Sequence, residues 1–272
     1  MALMIVGVDA GRNGIKVVGD GVREYFPACL GAYLKPKLEV ELSRTDMVVD
    51  YAGQQYYVGG IAKIESPDGT QMMIKSKVHL DTKIFVLTAL HRVVPDRSSI
   101  FLVTGEPIEN HTAGEKLRLK QLLLGDHTIT VNQEEKSFSI VRVEVAAEAA
   151  TFGWALRRTD RFHVVDPGGR TVNYATFQYG KWINRLSGSL DYGLDTVEIN
   201  SSMFARMTVA ELSKRLGSLS PIILIGGKAS VLSDYFRQYT SDVEAYHDAL
   251  YANAWAFREA GVNAIESARQ AQ

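Results

Sequence analysis

The chain has 272 residues, of which 46% are hydrophobic and 22% charged, a composition typical of a globular protein with one large or two smaller domains. Its formal net charge of −1 provides no overall attraction to nucleic acid or to an anionic membrane, so we expect no direct DNA binding. Cys29 is the only cysteine, which excludes an intramolecular disulfide and a cysteine-cluster metal site and fits a cytoplasmic protein. No stretch approaches the ~18 uninterrupted apolar residues of a membrane span.

Hydrophobic periodicity in the first half predicts a mainly β segment followed by alternating helices and strands. Residues 30–80 are mixed in character and resemble a small insertion. The predicted strands are 4–8, 15–18, 22–28, 46–51, 55–58, 100–104, 128–131 and 137–145, with a tight turn at Gly11–Gly14 and another at 133–135. The predicted helices are 80–93 and 112–123.

The composition changes at residue 146, where alanines and Gly153 predict a helix of small residues. Strands are predicted at 162–166, 172–179, 181–187 and 221–225, and helices at 194–204, 208–216, 229–239 and 246–268. The small residues around 146–153, with Ala252 and Ala256, suit either a hinge between domains or tight core packing.

The second half begins with the same unit as the first. Strand, Asp-x-Gly turn, strand, turn and strand occur at 4–28 and again at 162–187, with GVDAGRN at 7–13 and VVDPGGRT at 164–171. An internal repeat of a whole supersecondary unit indicates duplication. We therefore expect an α/β fold of two similar halves facing each other across a cleft.

The two turns have the chemistry of a nucleotide–metal site. Glycine allows close backbone approach to phosphate, and Mg²⁺ takes few protein carboxylates because it keeps several waters. Asp9 and Asp166 suit the metal's water shell, and Lys16 could reach the β- and γ-phosphates. Gly11, Gly168 and Gly169 would form the cradle. The alternative, ordinary Asp-Gly β-turns, becomes less probable when both turns occupy matching positions.

A third glycine turn follows the apolar run of IILIGGKAS at 222–230, where Gly226 and Gly227 join a buried strand to a helix. Such junctions place backbone amides against ribose or phosphate. A P-loop is excluded, since Ile222 stands where that motif begins with glycine and Ala229 replaces its Ser or Thr. Glu148, at the predicted start of the alanine-rich helix, could polarise an attacking water. It could equally be a helix first-turn acid, and Glu144 competes for the catalytic role.

Five stretches occur in the order of the actin-superfamily motifs called phosphate 1, connect 1, phosphate 2, adenosine and connect 2. They are VGVDAGRNGIKVV, VEVAAEAATFGWAL, FHVVDPGGRTVNYATF, IILIGGKAS and YANAWAFREAG. Within that superfamily the chain is most similar to the ParM and AlfA group of bacterial plasmid-segregation actins. YYVGGIA at 56–62, VTGEPIENH at 103–111 and GDHTITVN at 125–132 support this similarity.

The resemblance implies an actin-like fold of two RNase-H-like domains around a nucleotide cleft. Domain I would span 1–145 with subdomain Ib at about 30–80, domain II would span 146–250, and a C-terminal helix at 251–272 would return to domain I. Only 28 residues separate Gly193 from Ile222, so subdomain IIB would be reduced or absent, as in AlfA.

The resemblance also implies an ATPase, or alternatively a GTPase, that requires Mg²⁺ and polymerises into polar filaments. A DNA-binding adaptor protein would connect those filaments to a plasmid centromere-like site. Asp9 and Asp166 would hold the metal through water, and Glu148 rather than Glu144 would orient the attacking water. The nucleotide-binding residues would be Gly11, Arg12, Asn13, Gly14, Lys16, Gly168, Gly169, Arg170, Thr171, Gly226, Gly227 and Lys228.

Two departures from the family pattern point to slow or differently arranged hydrolysis. Asn173 stands where the second phosphate motif often ends in an acid, and Pro167 stiffens the second turn. Two other functions therefore stay open. One is a small-molecule kinase of the same superfamily, and the other is a non-polymerising, nucleotide-gated scaffold.

Overall fold

The computed structural model describes residues 3–38, 41–71, 76–219 and 221–271, which form two compact units. Unit 1 consists of Met1–Thr104, Thr112–Val145 and Phe257–Gln272, and unit 2 of Gly105–His111 and Ala146–Ala256. The predicted boundary after residue 145 is one of the points where the chain passes from one unit to the other. Residues 39, 40 and 72–75 of the predicted insertion lie outside the described residues. So does Gln272, the last residue of the predicted C-terminal helix.

The described residues contain sixteen strands and seven α-helices in an α/β arrangement. Strands β1 to β16 are, in order, Leu3–Ala10, Ile15–Val18, Arg23–Phe26, Cys29–Ala32, Met47–Tyr51, Gln54–Val58, Thr70–Gln71, Ser99–Glu106, Gly125–Val131, Glu134–Ala147, Phe162–Pro167, Val172–Gln178, Lys181–Trp182, Gly188–Leu190, Ile222–Leu224 and Val243–Ala245. Helices α1 to α7 are Ile61–Glu65, Leu80–Val93, Ala113–Leu123, Ala150–Ala155, Ser201–Leu216, Ala229–Phe236 and Ala252–Gln270. Short 3₁₀ turns occur at Ile108–Asn110, Asn184–Leu186 and Ala249–Tyr251.

The two sheets repeat one topology. The larger sheet has the order β3-β2-β1-β8-β10-β9-β5-β6-β4-β7, and the smaller has β13-β12-β11-β15-β16, with β14 also paired to β12. In each, the first strand is antiparallel to the second and parallel to the strand that follows a helical crossover, namely β8 or β15. The predicted duplication is therefore confirmed in the strand order.

Helix α2 anchors the core of unit 1. His79 caps its N-terminus by accepting a hydrogen bond from the Asp81 backbone N–H through Nδ1 at 3.2 Å. The helix packs against β1, β2, β3 and β9. Ile84, Phe85 and Leu87 are fully buried in the same cluster as the apolar residues of β1 and β8. This core holds the C-terminal end of β1, and thus the first glycine turn, in place.

Unit 2 has helices on both faces of its sheet, which explains why its central strands, β11, β12 and β15, are buried on both faces rather than on alternate residues. Val165 and Leu224 pack with residues of α5 and α6, whereas Val164 and Ile223 pack with residues of α4 and α7. Ala147, Ala149, Ala150, Ala252 and Ala256 belong to this second cluster. A Cβ on Gly153 would lie 2.1 Å from the Phe177 ring. The packing of these small residues therefore supports tight core packing, the second of the two interpretations that the sequence left open.

Several predicted element boundaries were wrong. The alanine-rich segment continues β10 to Ala147, and α4 begins only at Ala150, because Glu148 N–H donates to the Glu106 carbonyl and Ala149 has a φ of +60°. The two helices predicted in 194–216 are one helix, α5, capped by the Asn200 side chain. The strand predicted at 181–187 is interrupted by a 3₁₀ turn.

Other differences concern short elements and turns. The hairpin between β9 and β10 turns at Asn132-Gln133, both with positive φ, rather than at 133–135. Sequence analysis missed β4, α1, β7 and β16, and the last helix begins at Ala252 rather than 246. From Phe257 onward this helix belongs to unit 1. Within the described ranges, no helix combines the length and the apolar character needed to cross a bilayer.

Candidate functional site

The first glycine turn, residues 11–14, joins β1 to β2 in unit 1. Asp9 lies opposite Lys16 in the antiparallel register, and Lys16 Nζ is 3.4 Å from Asp9 Oδ2. Both side chains are largely buried, at 10% and 14% exposure for Asp9 and Lys16. A carboxylate and an ammonium group thus lie together at the end of a buried strand, where an ion pair is less screened than at the surface.

The glycines of this turn are required by close packing rather than by unusual dihedral angles. Neither Gly11 nor Gly14 has φ in the left-handed region. A Cβ on Gly11 would lie 3.0 Å from Lys16 Nζ, and one on Gly14 would lie 2.3 Å from the Tyr25 ring. Gly11 therefore leaves room beside the ion pair, whereas Gly14 accommodates Tyr25. Arg12 and Asn13 are partly exposed at the tip of the turn.

The second turn, residues 168–171, repeats the first in unit 2. It joins β11 to β12 across the same four-residue loop, and Asp166 lies opposite Asn173, again seven positions on. Gly168 N–H is 2.9 Å from the Thr171 carbonyl, which closes the turn. Asn173 and Lys16 are thus equivalent positions in the two hairpins. One acid faces a cation across its hairpin and the other faces a neutral amide.

A segment that sequence analysis did not assign to the site anchors this second turn. The backbone N–H groups of Leu194 and Asp195 donate to the carbonyls of Gly168 and Gly169 at 2.9 and 2.8 Å. A Cβ on Gly193 would lie 2.4 Å from the Gly169 carbonyl carbon and 2.5 Å from Arg170 N. These hydrogen bonds occupy the carbonyls of Gly168 and Gly169 in the 168–171 turn. The GLDT sequence at 193–196 resembles an ordinary turn, so only the fold reveals this role.

The third predicted motif lies directly against Asp166. Ile225 N–H donates to the Val165 carbonyl, and β15 is parallel to β11. Gly226 has a φ of +90°, and a Cβ there would lie 2.7 Å from Asp166 Oδ1. Helix α6 begins three residues later, at Ala229, with Lys228 at its N-cap and no side-chain cap. A Cβ on Gly227 would be 3.4 Å from Leu250. The strand–glycine–helix junction is confirmed.

Glu148 lies in the turn between β10 and α4, not in a helical first turn. It is 8% exposed, and its Oε2 accepts a hydrogen bond from Asn173 Nδ2 at 2.8 Å. Ser189 Oγ in turn donates to Asn173 Oδ1 at 2.6 Å. The first-turn interpretation of Glu148 was therefore wrong. The carboxylate instead belongs to a buried polar network that begins opposite Asp166.

Glu144 has a different environment. It lies on the unit 1 part of β10, where its carboxylate is 2.6 Å from Lys120 Nζ and 3.4 Å from Arg142 Nη2. Partial burial acts to raise the pKa of Glu144, but the hydrogen bonds and charges of Lys120 and Arg142 outweigh it and lower that pKa. A carboxylate already paired with two cations is a poor base for water, which counts against Glu144 in that role.

A second amide contacts Asp166, the predicted metal-binding acid of unit 2. Asn253, at the start of α7 and 6% exposed, donates from Nδ2 to Asp166 Oδ2 at 2.8 Å. Its Oδ1 accepts from the Ala149 backbone N–H at 3.1 Å. Within unit 2, Asn253 thus links Asp166 to the backbone beside Glu148, and Asn173 holds the Glu148 carboxylate. The YANAWAFREAG stretch resembled the connect 2 motif but did not indicate this contact.

Each unit offers one buried acid that suits a hard cation held through water. As whole residues, Asp9 and Asp166 are both 7% exposed, and each offers carboxylate oxygens, the ligand type that Mg²⁺ prefers. Among the described residues, no group of three or more His, Cys, Asp or Glu side chains is arranged to hold a metal directly. Gly226 leaves beside Asp166 the space that a Cβ would fill. The residues present therefore fit a metal that is bound with its waters and a phosphate ligand.

Comparison with known proteins identifies the family. The family model described as "Actin like proteins N terminal domain" matches residues 7–150, just over half of the chain. A search of curated proteins gives no match. Solved structures match over nearly the whole chain, at identities that show the fold alone.

One similar structure is the apo pSK41 ParM protein, with 14% identity, a TM-score of 0.78 and coverage of 98% of this chain and 99% of that one. Another is a 15-stranded ParM filament from Clostridium botulinum, with 16% identity, a TM-score of 0.79 and coverage of 97% and 100%. A third is the filament of AlfA from B. subtilis plasmid pLS32, with 19% identity, a TM-score of 0.74 and coverage of 93% and 97%.

These likenesses confirm the predicted α/β actin-like fold. Between Gly193 and Ile222 the described residues contain a single helix, α5, which is compatible with a reduced subdomain. With more than half of its length matched by the family model and the same strand order in both units, the chain belongs to the actin-like proteins.

Proposed function

We propose that this chain is an actin-like cytoskeletal nucleoside triphosphatase. It binds ATP, or alternatively GTP, with Mg²⁺, polymerises into polar filaments and hydrolyses the γ-phosphate in the course of plasmid DNA segregation. The observation that carries this proposal is the matched pair of hairpins. In each, a buried acid ends the first strand, a four-residue glycine turn follows, and a polar side chain stands opposite the acid.

The proposed roles follow from these positions. Lys16 binds the β- and γ-phosphates as a point charge beside Asp9, and Gly11 leaves room for phosphate oxygens next to that pair. The first turn further contributes Arg12, Asn13 and Gly14. The second contributes Gly168, Gly169, Arg170 and Thr171, and the adenosine junction contributes Gly226, Gly227 and Lys228. Backbone N–H groups of such turns form concave sites for anions.

Hydrolysis is assigned to the acids. Mg²⁺, when bound, would neutralise charge on the phosphates and be held through water by Asp9 and Asp166. Glu148 orients the attacking water and accepts its proton, because its carboxylate is buried and its Oε2 is held in place by the Asn173 amide. Asn173 in place of an acid and the rigid Pro167 suit slow turnover.

The proposed assembly is a polar filament built from head-to-tail contacts that do not close into a ring. Support comes from the fold, since similar ParM and AlfA structures are filaments. A DNA-binding adaptor protein would connect the filament to a plasmid centromere-like site, because a net charge of −1 gives the chain itself no general attraction to DNA. The proposed location is the cytoplasm.

Sedimentation with and without nucleotide tests this function. We expect pelletable polymer and phosphate release with ATP–Mg²⁺ or GTP–Mg²⁺, and electron microscopy should show filaments. A protein that stays in the supernatant with both nucleotides, at concentrations well above micromolar, would refute polymerisation. Tight nucleotide binding without phosphate release would select the scaffold alternative. Phosphate transfer to a screened sugar or to acetate would select the kinase.

A further inference from the structure

The backbone is strained at Ala149, the residue that follows Glu148. Ala149 has φ +60° and ψ −45°, and Ala150 N–H donates to the Glu148 carbonyl at 2.6 Å. This combination is the rare γ-turn with positive φ at its central residue, which an L-amino acid adopts at a cost of roughly 1–3 kcal/mol. Strain of this kind persists only where the surrounding structure imposes it, and the turn therefore needs partners that hold it.

Asn253 and Asn173 are those partners. Asn253 Oδ1 accepts from the central residue of the γ-turn at 3.1 Å, while its Nδ2 donates to Asp166 Oδ2 at 2.8 Å. Asn173 Nδ2 donates to Glu148 Oε2, and Ser189 donates to Asn173 Oδ1. Each amide orientation is fixed by chemistry, since a backbone N–H can only donate and an ionised carboxylate can only accept.

A neutral amide, such as that of Asn173, suits the position that contacts the Glu148 carboxylate. An amide N–H holds a carboxylate in place without neutralising its charge, whereas Lys or Arg would compete with a metal or a water for the same oxygens. Unit 1 shows the contrast, because the position equivalent to Asn173 is Lys16, which pairs with Asp9.

We propose that Asn253 and Asn173 are positioning residues that join the Asp166 carboxylate, the strained turn at Ala149 and the Glu148 carboxylate into one hydrogen-bonded unit. Asn253 couples the metal acid to the backbone of the water-orienting acid, and Asn173 fixes the carboxylate itself. This inference rests on the proposed function for the roles of Asp166 and Glu148. The coupling itself is a property of unit 2.

The kinetic test uses Asn253→Asp and Asn173→Asp, which keep side-chain shape but remove the donor. We expect the maximal rate of ATP-dependent phosphate release at saturating Mg²⁺ to fall at least about tenfold, with the KM for ATP changed less than about threefold. Two matched controls lie in the same unit. Asn184→Asp adds the same charge at an exposed site, and Ser233→Ala removes a buried hydroxyl that bonds the Ser230 carbonyl.

A second variant separates positioning from stability. Ala149→Gly relieves the positive φ, so the melting temperature should stay equal or rise, yet the turn that carries Glu148 loses its rigidity. The proposal predicts a phosphate-release rate roughly three- to tenfold lower in this equally stable protein. A merely structural role for the turn would leave the rate unchanged or raise it with stability.

The coupling also has a readout that needs no nucleotide. In the protein labelled with ¹⁵N-alanine, the Ala149 amide signal is identified by its loss in Ala149→Gly. Asp166→Asn should shift that signal in the wild-type background but not in the Asn253→Ala background. An equal shift in both backgrounds would overturn the coupling, as would rates in Asn253→Asp and Asn173→Asp that match the controls. A wild-type protein without phosphate release would instead refute the proposed function, and the amide signal would still decide the coupling.

Discussion

Replacing Gly226 with alanine tests whether the proposed adenosine junction and Asp166, the proposed metal-binding acid, form one site. Gly226 has a φ of +90°, and an added Cβ would lie 2.7 Å from Asp166 Oδ1. The variant therefore combines two separable effects, which are backbone strain at residue 226 and displacement of the Asp166 carboxylate.

The two effects differ in size and in what they change. An alanine at positive φ costs roughly 1–2 kcal/mol of folding free energy. Relief of the contact requires Asp166 Oδ1 to withdraw by roughly 0.7 Å to reach an ordinary 3.4 Å separation. Since a displacement of about 1 Å can cost up to ~100-fold in rate, we expect phosphate release to fall about tenfold or more.

Gly217→Ala is the matched control. Gly217 lies in the same unit with a φ of +74°, but an added Cβ would have nothing within 4 Å. Both variants should lose about 1–2 kcal/mol in urea denaturation, a shift of roughly 2–4 °C in melting temperature per kcal/mol. Only Gly226→Ala should also lose turnover and Mg²⁺ dependence. Equal phosphate-release rates in the two variants would show that Gly226 and Asp166 do not act in one site.

Three further predictions concern single side chains. Asp166→Ala should reduce phosphate release by orders of magnitude, because positioning of metal and phosphate provides most of the catalysis in phosphoryl transfer; a malachite-green assay measures it. Glu148→Ala should slow hydrolysis by about 10²-fold or more while nucleotide-dependent sedimentation persists. Burial lowers the pKa of His163 from its ordinary 6.5 to about 4, and its Nε2 donates to the Ser218 carbonyl as the neutral imidazole. The unfolded chain therefore binds more protons than the folded one between these values, so stability present above pH 6.5 is lost as the pH falls toward 4, by roughly 3 kcal/mol in total. Urea denaturation between pH 7 and pH 4 should show this loss, and His163→Asn should remove that part of it.

Each of these predictions has an outcome that contradicts it. Unchanged phosphate release in Asp166→Ala would remove Asp166 from the site. Loss of assembly in Glu148→Ala would make Glu148 structural or part of a subunit contact. A pH dependence that is identical in wild type and His163→Asn would show that other groups govern the acid sensitivity.

The sequence by itself determined the repeated hairpins and their acids. A β-branched run, an Asp and a glycine turn are local signals, and the seven-residue spacing fixes which side chain faces each acid across a hairpin. Asp9 and Lys16 are therefore paired as neighbours in a register that the turn length sets. The same reasoning located Gly226 at the end of a strand, and the order of the motifs indicated the family.

Only the tertiary structure decided what surrounds those acids. Asn253 is 87 residues from Asp166 in sequence, and Gly193 meets the Gly168–Gly169 turn through backbone contacts that no residue pattern encodes. The alanines at 146–149 predict a helix, yet β10 continues to Ala147 and the Glu148 backbone N–H donates to the Glu106 carbonyl. Backbone pairing with a distant segment outweighs helix propensities of a few tenths of a kcal/mol. Local sequence fixes the chemistry that each turn offers, whereas long-range packing fixes the partners that hold it in place.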